Sequence, residues 1–378
     1  MRRMFFKFKL AAVAIAASNA GSIVFAQAID VGIIDSLTGS TAVAGTANVC
    51  GFRIAADVIR EGKLAGDRSM RLMIEDDQSK PAVAAQAASK LTAANVKFFV
   101  GGSISSTVLA ELPILKDAGA LHFGGTTKAE QYFQAGALVV RLNSDNSQDG
   151  ESIGKYVSET LKAKRIDFVA LQGAYGEGAL ASIKVALAPG SVIEHTYFAP
   201  ADSTNFQSIV TSITANKPDA VVWAIFGNAQ PVALMRQYRQ AGLTIPLIAG
   251  AGTLTASLAQ AAGGAADGVV SADLWAPEIE NAANRSLRAN FEKYKSQFSE
   301  CSGKPLDKQV AISYAQLMLL AQSISKAKST DPKIVRDTIV ANSWDLPQGQ
   351  VRFRPEGQAI VQYYMLVGKG DKVLPLQK

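Results

Sequence analysis

Short apolar runs recur along this chain with helix-like stretches between most of them, and that alternation constrains the fold more than any other feature. The runs lie at residues 29–34, 97–100, 120–123, 166–171, 220–225 and 245–249. They are rich in Val, Ile and Phe and show little in-and-out alternation, as expected of strands covered on both faces. Phe52, Ala55, Ala56 and Ile59 recur at helical spacing, as do Val83, Ala87, Leu91 and Ala94. Strand then helix, repeated, predicts an α/β protein with parallel sheets. With 378 residues the chain exceeds what one core usually supports, so two such sheets are expected. A polar stretch at 143–150 separates the first repeat set from a second that runs to about residue 270. Helical patterns follow at 281–299 and 309–327, and a last apolar segment, 359–367, reads as a strand.

Residues 1–26 read differently. Arg2, Arg3, Lys7 and Lys9 precede an apolar run from Leu10 to Ala17, and Val24 and Ala26 are small residues three back and one back from a cut. This is the pattern of a cleaved signal peptide, and the run is far short of the roughly 20 residues that span a bilayer. Four of the 38 basic residues and none of the 32 acidic ones lie in it, so the rest of the chain is close to charge balance. No nucleic-acid or anionic-membrane surface is expected. Cys50 and Cys301 are the only thiols. In an exported chain they are a possible disulfide, or two buried unpaired cysteines, and their spacing decides neither. His122 and His195 show no ligand spacing with them, so no metal site is predicted.

In parallel sheets ligands bind where loops leave the carboxyl ends of strands. Those loops, at 36–45, 101–107, 124–128, 172–178, 226–230 and 250–255, are rich in Gly, Ser, Thr or Ala. None carries a Gly-x-Ser-x-Gly elbow, a phosphate loop or a three-glycine dinucleotide fingerprint. Glu75-Asp76-Asp77 reads as a solvated or capping acid cluster, His122 as a core histidine and His195 as a surface one. No catalytic residue and no cofactor is expected, and a binding role outranks an enzymatic one.

Several short segments then fall into a recognisable order. They are Ser36-Leu37-Thr38-Gly39 with Gly45 and Gly51, Glu75-Asp76-Asp77-Gln78 before Pro81, Gly102-Ser103-Ile104-Ser105-Ser106, and Tyr175-Gly176-Glu177-Gly178. Asp202 with Phe206, Lys217-Pro218-Asp219-Ala220-Val221-Val222, and Leu234-Met235-Arg236-Gln237 ending at Ala241-Gly242-Leu243 complete the series. Together they resemble the branched-chain amino-acid (Leu/Ile/Val) type of periplasmic solute-binding protein, the receptor of an ABC importer, over nearly the whole chain after residue 26. The resemblance implies two doubly wound parallel-sheet lobes joined by a three-strand hinge, a type I, Venus-flytrap fold. The N-terminal lobe would comprise 27–142 plus 273–357 and the C-terminal lobe 143–272 plus 358–378. It also implies a periplasmic location, membrane permease subunits as partners and a monomeric receptor.

In that family, hydroxyls and backbone N–H groups of the first lobe hold the ligand's carboxylate. The matching positions are Ser105 and Ser106 in one loop, and Gly125, Thr126 and Thr127 in the other; neutral donors at helix starts suit an anion. Tyr175 matches a ligand-facing tyrosine. The departures concern the rest of the ligand. The family's ammonium-binding acid aligns with Ala251, one expected aromatic aligns with Ala44, and another falls at Gly227 or Asn228, with Phe226 as a substitute. Trp275 lies near the second crossing, either packing the lobe edge or stacking on ligand. A buried ammonium without a carboxylate partner is costly. The expected ligand is therefore a small carboxylate lacking an α-ammonium, such as an aromatic acid or a 2-oxo acid, unless Asp273 or Glu177 supplies the charge. The alternatives are a branched-chain or general amino-acid receptor, a sensory receptor on the same fold, and a secreted α/β hydrolase.

Overall fold

The computed structural model describes residues 28–376; the expected signal peptide lies outside the described residues. In chain order the first elements are β1 (Ile29–Asp35), α1 (Ala42–Gly62), β2 (Leu64–Asp67), β3 (Met70–Asp76), α2 (Pro81–Ala93), β4 (Phe98–Gly101), α3 (Ser105–Asp117), β5 (Leu121–Gly124), α4 (Gln131–Gln134) and β6 (Leu138–Arg141). Strands β3-β1-β4-β5-β6 form a five-stranded parallel sheet. Val31, Ile33, Phe98 and Val100 point into the core on one side, and Ile34 and Phe99 into the core on the other.

The second set is α5 (Asn146–Lys155), β7 (Arg165–Leu171), α6 (Ala174–Ala186), β8 (Val192–Ala199), α7 (Gln207–Asn216), β9 (Ala220–Ala224), α8 (Ala229–Gln240), β10 (Leu247–Ala249), α9 (Ala256–Ala262) and β11 (Val270–Asp273). It is followed by α10 (Ala282–Tyr294), α11 (Lys308–Ala327), α12 (Pro332–Ala341), β12 (Trp344–Leu346), β13 (Gly349–Phe353), β14 (Ala359–Ile360), β15 (Tyr364–Lys369) and β16 (Lys372–Pro375). The second sheet runs β16-β15-β11-β10-β9-β7-β8. It is parallel except that β15 pairs antiparallel with β11 and with β16. Val221 and Trp223 face one core layer, and Val222 and Ala224 the other. The apolar segment expected as one strand is split: β14 joins the small β12-β13-β14 sheet and β15 the large one.

The chain passes between the sheets three times, after β6, after β11 and after β14. Helix α5 begins at the first passage with a reciprocal cap, Asp145 accepting from Gln148 N–H while the Gln148 side chain accepts from Asp145 N–H. Past the second passage, α11 packs on α1. Gly51 permits that approach, since a Cβ there would lie 2.2 Å from Ser313 Oγ. A disulfide joins Cys50 of α1 to Cys301 before α11, with Cα atoms 5.0 Å apart.

Candidate binding cleft

Between the lobes lies a cavity with roughly 770 Å³ of space, its mouth included. Its walls are the loops after β4, β5, β9 and β10 together with the heads of α1, α6 and α11, the carboxyl-end position at which parallel sheets bind ligands. Ser103, Ile104, Ser105, Thr126 and Lys128 line it from the first sheet, Tyr175, Phe226, Asn228 and Ala251 from the second, and Ala44 from α1. Tyr175 and Phe226 meet edge to face with centroids 6.0 Å apart, an apolar wall with one phenolic tip.

Ser105 begins α3, whose N-cap Ile104 offers no side-chain cap. Its hydroxyl oxygen accepts from Lys128 N–H at 3.3 Å and from Thr127 Oγ1 at 3.4 Å. Both contacts arrive as donors, so the Ser105 proton remains free to donate. The open first turn of α3 adds backbone N–H groups and the positive end of the helix dipole.

The remaining expected positions are buried, outside the lining or already hydrogen-bonded. Ser106 is exposed and outside the lining. Thr127 is buried beneath Ser105. The Gly125 amide donates to Gly101 O at 2.9 Å, and Thr126 donates through both its amide and its hydroxyl to Gly102 O. This loop has therefore spent those donors on the neighbouring β4 loop. Trp275 is 3% exposed in the first-lobe core, its Nε1 donating to Asn284 Oδ1 at 3.0 Å, and it does not reach the cavity. Glu177 is exposed outside the lining, and Asp273 is buried behind Lys308.

Charged groups dominate the interior, and of these sequence reasoning named Asp273 but passed over Lys128, Lys308 and Asp307. Lys128, at the end of the β5 loop, is 4% exposed. Its Nζ donates to Ser144 Oγ at 3.0 Å, to the Ala251 carbonyl at 2.9 Å and to the Asp149 carboxylate. Burial pushes this ammonium down to about 8, against the pull of Asp149. Lys308, equally buried at the head of α11, sits 3.5 Å from Gly252 O and 3.7 Å from Asp273 Oδ1. Burial raises Asp273, with both lysines opposing the rise. Asp307, the N-cap of α11, accepts from Ser257 Oγ at 2.9 Å and is also raised by burial. One signal was available: a lysine in the first turn of a helix opposes the dipole and calls for a reason.

A model of the family described as periplasmic binding protein matches residues 28–372. The leucine-, isoleucine-, valine-, threonine- and alanine-binding protein of Pseudomonas aeruginosa is 26% identical over 336 residues, covering 88% of this chain and 87% of that protein. A solute-binding protein of an ABC transporter from R. palustris, solved with benzoate, superposes with a TM-score of 0.83 at 23% identity, over 92% of this chain and 95% of that one. The branched-chain amino acid transporter substrate-binding protein of Streptococcus pneumoniae, solved with isoleucine, gives 0.81 at 21%, over 92% and 99%. At these identities the two structures speak to fold alone. With a family match spanning both lobes, the chain belongs to the periplasmic binding proteins and is a solute-binding component, not an enzyme.

Proposed function

We propose that this protein is the periplasmic receptor of an ABC importer and closes on a small carboxylate lacking an α-ammonium, an aromatic acid foremost. One observation carries the reading: the Ala251 and Gly252 carbonyls, in the loop where the family would place an ammonium partner, already face the protein's own ammonium groups, Lys128 and Lys308. A ligand ammonium entering there would meet like charge. The Ser105 hydroxyl and the first turn of α3 suit a carboxylate instead, and Tyr175 with Phe226 suits a ring. The R. palustris protein solved with benzoate is consistent with this chemistry. Contacts from both lobes favour the closed state, and the closed form is the one a membrane permease would capture.

Asp307 favours a second reading, an amino-acid receptor, because it is a buried carboxylate in the lining. Titration of leucine and of 4-hydroxybenzoate, each followed by melting temperature, separates the two, since a ligand selective for the folded state raises stability by mass action. Stabilisation by the aromatic acid alone supports the proposal. Stabilisation by leucine at micromolar concentration, with aromatic acids inert, overturns it.

A further inference from the structure

The cavity contains two buried lysines in very different states. Lys128 has three N–H bonds and three acceptors, so it is saturated. Lys308 has one long contact, 3.5 Å to Gly252 O, and its 3.7 Å approach to Asp273 exceeds hydrogen-bonding range. At least two of its N–H bonds therefore meet no acceptor among the described residues, although the side chain is 4% exposed and lines the cavity. The backbone keeps room for it. A Cβ on Gly252 would fall 1.7 Å from Lys308 Nζ, and Gly252 has φ +69, so a side chain there would be strained and would displace the ammonium.

A second residue points the same way. Asn143, at the passage after β6, is fully buried and also lines the cavity. Its Oδ1 accepts from Ser144 N–H at 3.0 Å, and its Nδ2 has no partner among the described residues. Buried polar groups are normally satisfied, and although the lining also holds one unpartnered acceptor, Gln309 Oε1, the two open donors imply an acceptor on whatever fills the cavity.

We infer that Lys308 and Asn143 form a second acceptor-binding pole, and that the ligand carries an uncharged oxygen, a 2-oxo or hydroxyl group, in addition to the carboxylate received at Ser105. This deepens the proposed function and rests on it. Charge selects the uncharged oxygen over a second carboxylate. Asp149 and Asp273 already balance Lys128 and Lys308, and Asp307 adds a further acid, so a dianion would bring an excess negative charge into a buried site.

Matched pairs test the inference on the intact mature protein by titration calorimetry: 3-phenylpropionate against phenylpyruvate, and benzoate against 4-hydroxybenzoate, with benzylmalonate as the dianion. In at least one pair the oxygen-bearing member binds roughly tenfold to a hundredfold tighter, the worth of a hydrogen bond to a charged donor, and benzylmalonate gains nothing. Lys308→Met brings the affinities of the paired acids together, and the readout is the ratio within each pair, not the affinity of the plain acid. Asn143→Asp, which keeps an acceptor for Ser144 and removes the donor, reduces that ratio and decides the matter if the lysine variant does not fold. Plain acids that bind as well as their oxygenated partners, or a preference that survives both substitutions, overturn this inference and leave the carboxylate reading standing. Failure of every acid, with leucine binding, removes both.

Discussion

Lys128 and Ala251 are joined across the cleft: the lysine follows a strand of one sheet, and its Nζ donates at 2.9 Å to a carbonyl at the end of a strand of the other. The same ammonium neutralises Asp149, so the contact across the cleft and the internal charge balance share one group. Lys128→Met would strand Asp149 among buried surroundings with the Tyr363 hydroxyl as its remaining partner. Loss of one member of a buried pair costs about 3–5 kcal/mol. Urea unfolding should show a loss of that size, and adding Asp149→Asn should restore most of it.

The proposed carboxylate site separates two adjacent serines. Ser105→Ala removes the free hydroxyl donor facing the cavity and should weaken binding of a carboxylate ligand by about 1–3 kcal/mol. Ser106 is exposed outside the lining, so Ser106→Ala should change affinity by less than about 0.5 kcal/mol. Calorimetric titration of both variants with one aromatic acid checks the contrast. Equal losses would move the carboxylate away from Ser105.

A buried acid in the first lobe predicts a pH dependence. Glu111 is 1% exposed, its Oε1 has no partner among the described residues, and His122 Nε2 is 3.9 Å away. Burial first, then repulsion from Asp77 and Asp35, raises Glu111 well above 4.5, while burial lowers His122 to about 3. The folded state therefore keeps a Glu111 proton that the unfolded chain releases. That contribution is complete below pH 4.5 and declines as pH rises toward the folded value. Glu111→Gln cannot titrate. The stability difference between variant and wild type should be constant near pH 4 and then shift toward the variant by up to about 1.4 kcal/mol per pH unit. A difference that stays flat from pH 4 to 8 would show that Glu111 is not held protonated.

The Cys50–Cys301 bond ties α1 to the segment before α11 across 251 residues of sequence. Removal of a native disulfide typically costs 2–5 kcal/mol, although Gly51 and the apolar surfaces of the two helices would keep them packed. The Cys50→Ala/Cys301→Ala protein should fold with a melting temperature lowered by several degrees. Thiol titration of the unfolded wild type without reductant should find no free cysteine.

What could be read from residue order alone follows burial. Strands β1, β4, β5, β7 and β9 lie inside their sheets and announce themselves as mainly apolar runs, broken at most by a single residue such as Asp30, His122 or Asp167. The edge strands β3 and β8 do not, because one side faces water: Arg71, Glu75 and Asp76 interrupt the first, and Glu194 and His195 the second. The loops after strands were legible as the place of the cleft, and the family resemblance singled out Ser105, Tyr175, Phe226 and Ala251 within them. The cleft was illegible where chemistry depends on distant partners. Nothing local says that Lys128 is buried, since its acceptors stand at Ser144, Asp149 and Ala251. Thr126 likewise looks like an open donor until Gly102 is seen to receive it.

Ala251 offers a way to test the proposal that the cleft refuses an ammonium. If the missing acid were the sole obstacle to amino-acid binding, Ala251→Glu alone would create a leucine site. The position is 1% exposed, and its carbonyl already faces the Lys128 ammonium. A carboxylate introduced there should therefore pair with Lys128 and stay unavailable to a ligand. Ala251→Glu should bind neither leucine nor an aromatic acid well, the latter because the new side chain fills space beside Tyr175. Ala251→Glu combined with Lys128→Met frees the new acid, and Asp149→Asn must be added to avoid a second unpaired charge. Only the triple variant should acquire measurable affinity for leucine by calorimetry. Leucine binding by the single variant would mean that Lys128 is not the internal substitute for a ligand's ammonium.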